Sequence, residues 1–140
     1  MEYKKFGSTF AVRINRGEEV IAQLEKLCKA ENIYFAKVSA IGAADKITVG
    51  LYNVEQKKYF KKTFIGEAEI TSLLGNITEK NGEPYIHLHI NAADENLNTF
   101  GGHLNECVIS GTCEMFVDEI SGNTGRAYDS ETGLNLFDFS

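Results

Sequence analysis

The chain has little proline, cysteine or positive charge, and each shortage excludes something. One proline and a hydrophobic fraction of 43% in 140 residues do not describe a disordered chain. The three cysteines are odd in number, and no two stand in CxxC spacing. Neither a disulfide framework nor a zinc ribbon is expected, and Cys28, Cys107 and Cys113 read as small buried apolar residues. No apolar run approaches the roughly 20 residues that a membrane-spanning helix needs. The N-terminus lacks the charged-then-apolar pattern of a signal peptide. A cytoplasmic protein without membrane contact is the expectation. No nucleotide cofactor is indicated. The net charge of −6 repels a phosphate backbone unless the lysines gather in one patch. The densest basic stretch, Lys57, Lys58, Lys61 and Lys62, is short and reads as a solvated strand edge.

The length suits a single domain over residues 1–140. Phe10, Val12 and Ile14 alternate as an opening strand. Asn15-Arg16-Gly17-Glu18 reads as a helix start with Asn15 as N-cap. Val20, Ile21, Leu24, Leu27 and Cys28 recur at helical spacing, which predicts one amphipathic helix over 18–31. Strands are predicted at Tyr34–Ile41, Lys46–Asn53, Lys58–Phe64 and Glu67–Leu74. Asn81-Gly82 is a hairpin signal before the next strand. Residues 92–105 are polar and contain glycine, and read as a loop. Val108–Glu119 is a long strand, and Arg126–Phe137 ends the chain in one or two short ones. The sum is an α+β domain with an antiparallel-rich mixed sheet and one main helix.

All three histidines fall within one short stretch: His87 and His89 in Tyr85-Ile86-His87-Leu88-His89-Ile90, and His103 in Gly101-Gly102-His103-Leu104. Strand residues two apart share a face. Ile86, Leu88 and Ile90 therefore face the core, while Tyr85, His87, His89 and Asn91 face away from it. Gly101 and Gly102 allow a tight turn or a close backbone approach that could bring His103 over the pair. Three neutral imidazoles with an open fourth position suit Zn²⁺, with Fe, Ni or Cu as alternatives. The bland reading is a set of hydrogen-bonded polar residues on a wet sheet surface. Glu69, Glu114 and Asp94 are the carboxylates that could join the site. Glu69 is either solvated or held by Arg13, Arg16 or Arg126.

The order Gly66-x-x-Glu69-Ile70-x-Ser72-Leu73-x-Gly75-Asn76, Pro84-x-x-His87-Leu88-His89, Gly101-Gly102-His103-Leu104 and Thr112-x-Glu114 resembles the PPC ("plants and prokaryotes conserved") domain. The resemblance covers nearly the whole chain. It implies an antiparallel-rich sheet with one main helix, and a homotrimer with the histidine region near subunit contacts. It carries over His87, His89 and His103 as a candidate metal or ligand site. It assigns Glu69 and Glu114 to structure or interface polar bonds. Plant members have Arg-Phe where Glu67-Ala68 stands here, and no Arg-Gly-Arg-Pro hook is present to enter a minor groove.

Three functions follow as expectations. The first is a trimeric metal-binding domain acting on a small polar ligand; whether it is an enzyme is left open, with Glu69 or Asp94 as proton acceptor if it is. The second is a DNA-associated regulatory protein, as the family label suggests. The third is a small-ligand or protein-interaction module without metal, with Tyr85 lining the pocket.

Overall fold

The computed structural model of the chain describes residues 1–140. Strands β1 (Glu2–Phe6) and β2 (Thr9–Asn15) form a hairpin, followed by helix α1 (Val20–Glu31). Four long strands come next: β3 (Ala36–Asn53), β4 (Lys58–Lys80), β5 (Glu83–Asp94) and β6 (Thr99–Glu119). A separate ribbon of β7 (Gly125–Asp129) and β8 (Leu134–Asp138) ends the chain. The α+β architecture with one helix is as expected, and every strand pair is antiparallel. The helix is too short and too polar to cross a membrane.

The six-stranded sheet runs β1-β2-β6-β3-β4-β5, and the start of β6 also pairs with β5. Strands β3, β4, β5 and β6 therefore close into a ring. The strands are longer than the sequence pattern predicts. Tyr34–Ile41 and Lys46–Asn53 join into β3, and Lys58–Phe64 and Glu67–Leu74 join into β4. The residues between them are absorbed as register shifts near Ala40–Lys46, which bend a strand without ending it, and a further shift falls within β4 at Ile70–Ser72.

One of these shifts changes which residues are inside. Thr71 is the extra residue between Ile70, opposite Ala92, and Ser72, opposite Asn91. Strict alternation puts Leu74 on the face of Ile70; the bulge instead turns Leu73 into the core with Ile70 and leaves Leu74 exposed.

Helix α1 buries Val20, Leu24, Leu27 and Cys28 against the sheet, in a core that includes Phe10, Ile47 and Met115. The three cysteines are buried and unpaired. Burial pushes the Cys28 and Cys113 thiols up to about 12 and Cys107 higher still, so all three stay protonated and inert. They pack as small apolar groups, as expected.

The helix starts later than predicted, and Glu19 replaces Asn15 as its cap. The Glu19 carboxylate accepts from the backbone N–H groups of Ile21 (3.1 Å) and Ala22 (2.7 Å). It also accepts from the N–H of Cys107 at 3.0 Å, which ties the helix start to β6. Asn15 lies on β2 and offers its N–H to Glu18 at 2.8 Å, closing a turn before the helix. Glu19→Ala leaves three N–H groups without their acceptor and is expected to cost about 1–2 kcal/mol in urea unfolding. Asn15→Ala is expected to cost less than half of that; equal losses would return the cap to Asn15.

Candidate metal centre

Strand β5 carries two of the histidines by simple alternation. Leu88 and Ile90 are buried, and His87 and His89 lie on the opposite face. The third comes from β6, not from a loop as expected. Asp94 ends β5, and its carboxylate accepts from the N–H groups of Asn96 and Asn98, both at 2.9 Å. That Asx-type turn reverses the chain, and residues 99–103 pair with 89–93. His103 stands directly opposite His89 in this register. The polar, glycine-containing composition that suggested a loop belongs to a tight hairpin.

Gly101 makes the pairing possible, since a Cβ there would strike the Ile90 carbonyl oxygen. A Cβ at Gly102 would meet the Gly50 carbonyl oxygen at 2.8 Å. The close backbone approach expected of this Gly-Gly pair is what the structure has.

The three imidazoles form a near-equilateral cluster. Ring centroids are 5.2 Å apart for His87–His89, 5.1 Å for His87–His103 and 5.5 Å for His89–His103. One ring nitrogen from each lies within 4.8 Å of the others. A tetrahedral ion bound at 2.0–2.1 Å places its ligand nitrogens about 3.4 Å apart, so small ring rotations close the site. His89 is exposed, while His87 and His103 are half-buried. Burial, then the neighbouring imidazoles and Arg126, pull His87 down to about 4. Burial, His89 and Lys61 also lower His103. The rings make no hydrogen bond to protein. Two rings held neutral, with lone pairs available, fit a transition-metal ion.

The cluster opens into a cavity of about 580 Å³. Tyr59 stands edge-on to His103 at 6.0 Å and accepts a hydrogen bond from Asn105 Nδ2 at 2.7 Å. Tyr85, Gly101 and Gly102 line the same cavity. So does Arg126, which fastens the β7–β8 ribbon to the sheet. Its guanidinium donates to Thr78 Oγ1 (2.9 Å), Asn76 Oδ1 (2.6 Å) and the Asn135 carbonyl (3.2 Å). It lies over the rings of Tyr85 and Phe137. The sequence offered Arg126 only as a partner for Glu69, because nothing local shows that the chain returns to this place.

Glu69 and Glu114 do not join the histidines. Glu69 is exposed on β4 opposite Ala93, and Glu114 is exposed on β6 opposite Arg13 and Ile41. Neither lines the cavity or holds an ion pair; Arg13 pairs with Glu2 instead. Asp94 is engaged in its own turn. Distance separates these carboxylates from the site: register places them on other parts of the closed sheet.

Comparison with known proteins gives a family and several solved structures of the same fold. The Plants and Prokaryotes Conserved (PCC) domain matches residues 1–121. A candidate DNA-binding protein from Bacteroides thetaiotaomicron is 35% identical with a TM-score of 0.96, over 99% of this chain and 96% of that one. A metal-containing protein from Archaeoglobus fulgidus is 34% identical with a TM-score of 0.88, over 98% of each chain. A plant- and prokaryote-conserved (PPC) protein from Pyrococcus horikoshii is 32% identical with a TM-score of 0.88, over 98% and 94%. A search of curated proteins returns no match.

The lowered His87 has a consequence for the metal-free chain. Below the ordinary histidine value of about 6.5 the unfolded chain takes up a proton there, while the folded chain refuses it until about 4. Stability from this group is complete above that window and is lost as pH falls through it. NMR titration of the imidazole C–H signals is expected to show His87 neutral at pH 5. A His87 midpoint near 6.5 would contradict the burial assigned to it.

Proposed function

The chain belongs to the Plants and Prokaryotes Conserved (PCC) domain family, and on that premise we propose that His87, His89 and His103 bind one transition-metal ion, zinc before iron or nickel. The observation that carries this reading is the convergence of three ring nitrogens within 4.8 Å. The metal-containing relative from Archaeoglobus fulgidus supports it. Such an ion supplies Lewis acidity to whatever occupies its open position. The chain's own residues bind and orient: Tyr85 and Tyr59 wall the cavity, and Arg126 holds positive charge beside it. Three unpaired cysteines support a reducing, cytoplasmic setting.

The reading includes a homotrimer. Ile41, Leu74 and Phe116 are each more than half exposed. Phe116, Ser39, Leu74 and His89 stand in one register row across β6, β3, β4 and β5. Exposed apolar side chains in and beside a row that ends at the histidines suit a subunit contact beside the site.

Zinc titrated into metal-free protein is expected to bind at one ion per chain. His89→Ala or His103→Ala should weaken it by at least about a hundredfold, since three ligands are reduced to two. Light scattering on the same samples should give three chains per particle, and fewer for Phe116→Arg. Zinc binding unchanged by either histidine variant would overturn the metal reading, and a monomeric wild type the trimer.

A second reading, direct DNA binding, draws on the Bacteroides relative and on the exposed lysines of the β3–β4 hairpin. It requires affinity that falls steeply with salt and with Lys58→Glu and Lys62→Glu. A low-salt mobility shift with no retarded duplex removes it.

A further inference from the structure

The chain carries 20 acidic and 14 basic residues, yet no acidic residue lines the cavity beside the histidines. Its fixed charge is Arg126, which is partly buried and has no carboxylate partner. A guanidinium has five N–H donors. Three of those on Arg126 go to Thr78, Asn76 and Asn135, which leaves one on each terminal nitrogen. A guanidinium with an N–H to spare on both terminal nitrogens can take the oxygens of a carboxylate. These three bonds and the two flanking rings also hold the guanidinium in place, so little freedom is lost when it takes a ligand.

The rest of the wall is of a different kind. Leu51, Val54, Leu134 and Leu136 are apolar, and Tyr85 adds an aromatic face. The volume of about 580 Å³ falls within the range of small-molecule sites, roughly 300–1,000 Å³. A bare inorganic anion leaves the apolar wall unused.

We infer that this cavity binds a small organic carboxylate with a short apolar tail, the carboxylate between Arg126 and the histidine site and the tail against Leu51, Leu134 and Leu136. The inference deepens the metal reading and rests on it for the second positive charge. Both charges attract the same group, and no protein carboxylate competes for them.

Calorimetric titration of zinc-loaded protein with butyrate, and with its neutral isostere butyramide, tests this. Butyrate is expected to bind at least about tenfold more tightly than butyramide. Arg126→Gln should erase most of that difference. Because this variant also loosens the ribbon, Leu51→Glu serves as a second one: it adds a carboxylate at an exposed position of the wall. It is expected to weaken butyrate by about tenfold or more while zinc still binds. Equal binding of the two compounds, no binding of either at millimolar concentration, or butyrate binding untouched by Leu51→Glu would overturn the carboxylate site. Inorganic phosphate binding better than butyrate would overturn the apolar-tail assignment. The zinc titration reports separately on the metal reading, so the two proposals fail by different measurements.

Discussion

The pairing of β5 with the start of β6 is the contact on which the site depends. It is short, residues 89–93 against 99–103, but it joins the last strand of the sheet back to one in the middle. Closure leaves no free edge between β5 and β6 at that end. It also sets His103 directly across from His89 at the spacing of an antiparallel pair. Two features allow it: the Asp94 turn that reverses the chain, and Gly101, where any side chain would collide with the Ile90 carbonyl. The imidazole cluster is thus a product of backbone register more than of side-chain reach.

Charge is distributed against the average of the molecule. An acidic chain has kept its carboxylates out of one cavity and placed an arginine and three imidazoles there. The family match ends at residue 121, but the ribbon beyond it supplies Arg126, Leu134, Asn135 and Leu136 to the cavity wall. The matched domain, residues 1–121, holds the histidine cluster. The C-terminal ribbon forms part of the cavity wall beside it.

Much of this was legible from local pattern. The helix, the inward faces of β2 and β5 and the buried cysteines all follow from periodicity and composition, because burial of apolar surface acts on each element where it stands. Local pattern fails where an irregularity changes parity. One extra residue at Thr71 exchanges the environments of Leu73 and Leu74, and no propensity marks it. The strand carrying His103 was missed because glycines placed for close backbone approach look, in sequence, like loop glycines.

By itself the sequence determined that His87 and His89 share a face, since a strand has a period of two and the alternating residues are apolar. Its resemblance to a known domain implies that His103 belongs with them. Only the tertiary structure decided where His103 sits, because a register between strands is fixed by turns, bulges and closure rather than by spacing along the chain. It also decided that Arg126 borders the site while Glu69 and Glu114 do not. Those placements join residues tens of positions apart, and contacts of that kind exist only once the sheet has closed.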